Sequence, residues 1–341
     1  MKYHPLLGEE LLLNAPRTNK LAPRCVVLVF VAGISFYCVF SVIQVPVNEI
    51  TSARLESGST PCPCCDEVDP GRLFYNRVPK CGSTTLITLM RRMAAKNDFV
   101  HFNSKVYDRK NADQKEQRRI VMQVKNTPSP CSFDQHVFFI NFTKFGESPP
   151  VFMNVIRDPV ERIISSYFYR RMIARQNRTR LKPGAYWLNK KFEHCVLTPD
   201  PECTFMDGHN YSEVQLPYFC GQEPECQLLN DAGALQKAKQ NIERYYAVVG
   251  TLEHMNVTLQ VLEATLPRFF KGAYNVYRNL GVHRNQNPHK EQVKEEIKEI
   301  LRANLSAEYE LYDFVRQRLH NQYRSLVEEP PLDEQTSFLF D

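Results

Sequence analysis

No D-x-D triplet occurs anywhere in the 341 residues. Luminal glycosyltransferases often hold a nucleotide sugar through a metal at that pattern, so its absence argues against that class. The Walker pattern G-x-x-x-x-G-K-[ST] is also missing, which disfavours a P-loop kinase. Cys62, Cys64 and Cys65 have no suitably spaced histidines beside them, so a zinc site is unsupported and no metal is expected. No internal repeat is present. The formal net charge is only +5, too small for bulk charge to identify a polyanion, and nothing points to nucleic acid. The length suffices for one large domain or two small ones, each with a full core.

What is present starts with an apolar run. Val26 to Ile43 is interrupted only by Ser35 and Ser41, and the apolar character continues to Val47. That length spans a bilayer or nearly so. Arg17, Lys20 and Arg24 precede it, so the positive-inside rule places residues 1–25 in the cytosol and everything after the run in the lumen. The run is long, starts late and has no clear small-x-small cleavage site before Gln44, which favours an uncleaved type II anchor over residues 26–47. Residues 48–71, rich in Ser, Thr, Pro and charge, read as a stem. A luminal domain follows over 72–327, then a tail over 328–341.

Cysteine usage fits a luminal body. The pairs Cys195/Cys203 and Cys220/Cys226 each enclose a short segment, as local disulfides in an oxidising compartment do. Cys62, Cys64 and Cys65 pair with one another, with Cys131, or with another chain. Glycosylation sequons at Asn141, Asn177, Asn210, Asn256 and Asn304 point the same way.

Beyond the stem, strand and helix patterns alternate. Strands are expected at Leu73–Val78, Phe99–Phe102, Val137–Phe142, Val151–Ile156 and Ala247–Gly250. Helices are expected at Thr84–Lys96, Gln114–Lys125, from Asp158 onward, at Ala234–Tyr246 and at His254–Leu266. One long helix over Lys290 to Val327 would place Ile297, Leu301, Leu305 and Tyr309 four apart. This is an α/β pattern with a mainly parallel central sheet flanked by helices.

Two strand-to-helix junctions carry chemistry. In FYNRVPKCGSTT, Phe74 to Thr85, a strand breaks into a helix start whose first N–H groups face an anion. Lys80 adds a charge, and Ser83, Thr84 and Thr85 add hydroxyls. In VFMNVIRDPVERIISSYFYRR, Val151 to Arg171, a second strand ends at Arg157, with Ser165 two turns into the helix. Arginine grips phosphate in bidentate fashion, and a helical serine adds one bond. Ligands of open α/β sheets collect beyond the carboxyl ends of the strands. A ligand with two separated phosphates would engage both junctions.

The cradle PKCGSTT with IRDPVERIISSYF resembles the nucleotide-binding segments of Golgi sulfotransferases. YNRVPKCGSTT, HVFFINFTKFG, NVIRDPVERIISSYFYRR, PYFCGQEPEC and LPRFFKGAYNVY resemble, in order, the glycosaminoglycan uronyl 2-O-sulfotransferases. The resemblance implies a P-loop-like sulfotransferase fold, 3′-phosphoadenylyl sulfate as donor, and a Golgi type II membrane protein. It also implies that Lys80, Cys81, Gly82, Ser83, Thr84 and Thr85 bind the 5′-phosphosulfate, and that Arg157 and Ser165 bind the 3′-phosphate. The family's general base falls on His136, with Lys80 stabilising charge on the departing oxygen. The heparan-specific branch has a second histidine two positions earlier. Here that position is Asp134, which either orients His136 or faces solvent. Together with the KCGS form of the cradle, this favours dermatan or chondroitin sulfate as acceptor, with heparan sulfate the alternative.

Between Arg170 and Lys191, cations including Arg170, Arg171, Arg175, Arg178 and Arg180 occur with no acidic residue among them, as an acidic polysaccharide would require. Arg77 and His101 match family positions near the acceptor. The heparan-specific relatives form homotrimers, and by analogy the long C-terminal helix would contribute to such an interface.

Overall fold

The computed structural model describes residues 68–104, 110–176, 183–211, 213–280 and 291–328. The expected cytosolic tail and anchor, most of the stem, Cys62, Cys64, Cys65, Asn177, Arg178, Arg180 and nearly all of the C-terminal tail lie outside the described residues.

Five strands form the sheet: β1 (Asp69–Asn76), β2 (Val100–Asn103), β3 (Cys131–Gln135), β4 (Pro150–Ile156) and β5 (Tyr246–Thr251). The helices are α1 (Ser83–Lys96), α2 (Gln114–Asn126), α3 (Pro159–Arg175), α4 (Ala185–Asn189), α5 (Phe192–Leu197), α6 (Pro217–Cys220), α7 (Ala232–Tyr245), α8 (Met255–Thr265), α9 (Pro267–Phe270), α10 (Ala273–Arg278), α11 (Glu295–Ala303) and α12 (Ser306–Glu328). The strand order is β2-β3-β1-β4-β5, and every pairing is parallel.

Alternation along β1 builds both faces of the core. Leu73 and Tyr75 point to one side, where Leu86, Leu89 and Met90 of α1 meet Leu259 and Leu262 of α8. Phe74 points to the other, among Phe133, Phe152, Val121 of α2, Ile242 of α7 and Leu311 of α12. A third cluster joins α3, α5 and α11 through Ile164, Phe192 and Leu301. Helix α3 starts as its sequence dictates: Asp158 caps the Glu161 N–H at 2.9 Å, and Pro159 takes the first helical position.

Three expectations need correction. β1 begins at Asp69, inside the expected stem. The Val137–Phe142 run is not a strand; the strand is Cys131–Gln135. That run is apolar because its rings are buried, with Phe138 against Tyr218 at 5.1 Å and Phe139 against Phe152 at 5.3 Å. Its backbone bonds elsewhere, the Phe138 N–H to the Lys110 carbonyl at 2.9 Å and the Gln222 amide to the Phe138 carbonyl at 2.9 Å. The true strand looks polar because Ser132 and Asp134 are buried within hydrogen bonds. Finally, the single C-terminal helix is two, α11 and α12, interrupted at Asn304–Leu305. The Asn230 side chain staples the break, donating to the Asn304 carbonyl and accepting from the Ala307 N–H, both at 3.1 Å.

From β1 the chain runs through α1 to the far edge at β2, whereas from β4 it runs to β5 on the opposite side. The reversal lies between the adjacent strands β1 and β4, where open parallel sheets place their ligands.

Candidate active site

Lys80 follows β1 in the left-handed region at φ 69°, and Gly82 caps α1 at φ 77°. A side chain at Gly82 would be strained by that φ, and its Cβ, 2.8 Å from Leu252 Cδ1, would force the leucine to shift. Two left-handed residues in this short turn swing the chain abruptly into α1, so the unpaired N–H groups at the helix start face the space above the sheet. Ser83 and Thr85 are half-buried and Thr84 is exposed. Cys81 points inward, its Sγ 3.4 Å from Gln215 Oε1, and burial pushes its thiol up to about 12. It can therefore offer an anion only its backbone.

Arg157 ends β4 with its Nη1 3.5 Å from the Lys80 carbonyl. Its nearest carboxylate, Glu161, is 3.6 Å away and also pairs with Lys298 at 3.0 Å. On α3, Arg162, Ser165 and Tyr169 recur at helical spacing along one face. Tyr169 lies under Lys80, whose ammonium is 3.5 Å from the ring centroid. Burial, and then the neighbouring Arg157 charge, lower Lys80 to about 8. Arg162 adds to that depression; it is 2% exposed and forms no ion pair among the described residues. A cluster of cations that depress one another is stabilised by an incoming anion.

His136 stands one residue past β3, not within a strand as expected. Its Nδ1 is 2.8 Å from the Arg77 carbonyl. A carbonyl only accepts, so Nδ1 carries the hydrogen and the neutral ring keeps its lone pair on Nε2. Burial and the Arg77 charge lower its pKa to about 3, and Lys110, paired with Glu213, adds to the effect. Asp134 does not face solvent. It is 1% exposed and binds Arg77 Nε at 2.8 Å, His101 Nε2 at 3.0 Å and the Asn103 amide at 2.8 Å. His101 Nδ1 in turn meets Ser132 Oγ at 2.8 Å. The Arg77 and His101 side chains are thus interior, 2% and 3% exposed.

The part of the basic run that lies in the last turns of α3 is also less free than its sequence indicates. Arg171, 2% exposed, lies over the Tyr167 and Trp187 rings and makes a bidentate pair with Glu202 at 2.9 and 3.0 Å. Arg170 joins Glu202 at 3.1 Å, and Lys190 pairs with Asp200. These carboxylates come from the loop closed by the Cys195–Cys203 disulfide, just beyond the window that contained no acid. Arg175 is exposed and donates to the Leu188 carbonyl at 2.7 Å. The Cys220–Cys226 disulfide is present too, while Cys81 and Cys131 are buried and unbridged among the described residues. Of the sequons, Asn210, Asn256 and Asn304 are exposed; Asn141 is half-buried, its Oδ1 accepting from Thr143 Oγ1 at 2.7 Å.

Sequence reasoning missed the buried amides beneath the site. Asn76 of β1 donates to the Tyr218 carbonyl at 2.6 Å, Asn154 of β4 donates to the Asn76 carbonyl at 2.7 Å, and Tyr246 of β5 donates to Asn76 Oδ1 at 3.0 Å. Asparagine in the middle of an apolar strand was the available signal, because a buried amide must find partners. Gln215 gave no comparable signal, since it lies in an irregular segment.

A model of the sulfotransferase family matches residues 68–315. A Drosophila melanogaster protein named uronyl 2-sulfotransferase homolog pip is 38% identical over 274 residues, covering 74% of this chain and 53% of that protein. Human uronyl 2-sulfotransferase is 34% identical over 278 residues, 77% of this chain and 67% of the relative. Heparan sulfate 2-O-sulfotransferase 1 of Xenopus laevis is 35% identical over 243 residues, 68% of this chain and 65% of the relative. The chain thus spans about half the length of the Drosophila relative and about two thirds of the other two.

Proposed function

The chain belongs to the sulfotransferase family, and from that premise we propose that it moves the sulfuryl group of 3′-phosphoadenylyl sulfate to O-2 of a hexuronic acid in dermatan or chondroitin sulfate. One observation carries the reading. Three adjacent parallel strands, β3, β1 and β4, lead at their carboxyl ends into His136, Lys80 and Arg157. In this reading the three serve as base, sulfate-side cation and second phosphate contact, with Lys80 taking the sulfate side.

The donor's 5′-phosphosulfate sits on Lys80 and the start of α1, and its 3′-phosphate on Arg157 and Ser165. The acceptor hydroxyl attacks sulfur in line with the departing phosphate oxygen. A new sugar O–S bond forms as the S–O bond to phosphate breaks, and His136 Nε2 takes the hydroxyl proton. Adenosine 3′,5′-bisphosphate leaves with the extra negative charge, which Lys80 neutralises. His136 is neutral at ordinary pH, the form a general base requires. A uronate carboxylate docking beside it would raise its basicity when needed.

Exposed Arg175, with Arg178 and Arg180, is the proposed contact for acceptor carboxylates and sulfates. Arg77, His101 and Arg171 act from inside as supports. The choice of dermatan or chondroitin over heparan rests on Asp134 and the KCGS cradle. The apolar run at 26–47 and the luminal-type disulfides support a Golgi type II setting for this activity. Incubating the chain with radiolabelled donor and heparan, dermatan or chondroitin sulfate tests the acceptor. Label mainly in dermatan and chondroitin disaccharides is expected, and label mainly in heparan would overturn that choice.

A further inference from the structure

Gln215 holds both halves of the nucleotide site with one amide. Its Nε2 donates to the Arg157 carbonyl at 2.8 Å, and its Oε1 accepts from the Arg157 N–H at 3.0 Å and lies 3.4 Å from Cys81 Sγ. It is 1% exposed. The cradle and the Arg157 turn lie past the paired registers of β1 and β4, so the sheet ladder does not fix their separation. A side chain bonded to both does.

Gln215 lies in no helix or strand and needs an anchor of its own. Glu308 supplies it from the first turn of α12. Its carboxylate accepts the Gln215 N–H at 2.9 and 3.0 Å and the Leu216 N–H at 2.7 Å, at 3% exposure. The same stretch of α12 reaches the α3 start twice more. Tyr309 donates to the Asp158 carboxylate at 3.0 Å, and Tyr312 donates to Glu253, whose other oxygen accepts the Asp158 N–H at 3.1 Å. One end of the C-terminal helix thus braces the loop that follows β4.

We propose that Gln215, anchored by Glu308, is a positioning residue that sets the spacing between the Lys80 cradle and Arg157, so that a nucleotide bearing anions at both its 5′ and 3′ positions is gripped at two points at once. The inference rests on the donor reading above. Two-point binding gains because the second contact becomes intramolecular, and that gain depends on the spacing being held before the ligand arrives. A ligand with a single phosphate uses one point and does not sense the spacing. The two classes of ligand therefore separate this role from general support of the fold.

The test is equilibrium binding to the full chain of adenosine 3′,5′-bisphosphate, adenosine 5′-monophosphate and adenosine 3′-monophosphate. Gln215→Leu is expected to weaken the bisphosphate about tenfold or more while leaving each monophosphate within about twofold. The donor KM rises in parallel, with kcat at saturating donor changing far less. Should Gln215→Leu not fold, Glu308→Gln carries the same test. It keeps the side-chain shape and one acceptor oxygen, and is expected to weaken the bisphosphate selectively but by less. Equal loss for all three ligands, or no loss for any, overturns the inference. A wild-type chain that binds no bisphosphate overturns instead the donor reading beneath it.

Discussion

The imidazole of His136 donates through Nδ1 to the backbone carbonyl of Arg77, at 2.8 Å. The guanidinium of the same Arg77 is held through Nε by Asp134, also at 2.8 Å. One residue therefore links the proposed base to a buried carboxylate. The tautomer of His136 is set by a main-chain oxygen that cannot titrate, so Nε2 stays the basic atom whatever the local pH.

Replacing His136 by Ala should lower the rate of transfer by about 10²–10⁴-fold, the usual contribution of a positioned general base. Binding of adenosine 3′,5′-bisphosphate should persist, because no cation of its site is lost. Joint loss of turnover and nucleotide binding would instead assign His136 to the framework.

Asp134→Ala should destabilise the protein by about 3–5 kcal/mol, since it removes the carboxylate that pairs with the buried Arg77 guanidinium at 2.8 Å. Arg175→Ala, at an exposed position, should stay within about 0.5 kcal/mol. Chemical denaturation measures both. An Asp134→Ala protein as stable as the parent would contradict the buried pairing.

The pH profile follows from two lowered pKa values whose active forms differ. His136 works neutral, so activity falls only as pH drops toward its value of about 3. Lys80 works protonated, so activity falls as pH rises through its value of about 8. The profile of kcat/KM, which reports the free enzyme, should be flat through the mildly acidic range and decline above neutrality. In Lys80→Arg the alkaline decline should vanish, at a lower rate throughout, because arginine does not deprotonate there. An acid limb centred near the ordinary histidine value would show that His136 is not desolvated.

Arg171 separates a structural from a binding role cleanly. Its bidentate pair with Glu202 and its position over Trp187, the only tryptophan in the chain, make fluorescence a local reporter. Arg171→Ala should shift the Trp187 emission to the red and cost about 1–3 kcal/mol, by taking the bidentate partner from Glu202 while Arg170 stays beside it. A raised acceptor KM with unchanged emission and stability would restore Arg171 to the acceptor surface.

The sequence carried the sheet wherever burial and strand period coincided. The expected strands Leu73–Val78, Val151–Ile156 and Ala247–Gly250 overlap β1, β4 and β5, whose central residues are buried. It misled where burial and pairing part company. The run from Val137 to Phe142 is as apolar as a strand but packs as a buried loop, while CSFDQ hides a strand behind polar residues satisfied inside. Lys80 and Arg157 could be picked out as cations at the carboxyl ends of two strands, and the structure brings them together, with Arg157 Nη1 3.5 Å from the Lys80 carbonyl. Gln215 and Glu308 were not legible, because they lie 93 positions apart and their meaning exists only in contact. The same long-range logic neutralised Arg170 and Arg171, whose partner Glu202 is 31 positions beyond Arg171.

The central claim is sulfuryl transfer to O-2 of a uronic acid, and structural analysis of the labelled disaccharides tests it most directly. The full chain would be incubated with radiolabelled 3′-phosphoadenylyl sulfate and desulfated dermatan or chondroitin, and the product digested and resolved. Label confined to 2-O-sulfated uronic acid, absent with His136→Ala, is the predicted result. Label on the hexosamine, or none on any glycosaminoglycan offered, would contradict the account.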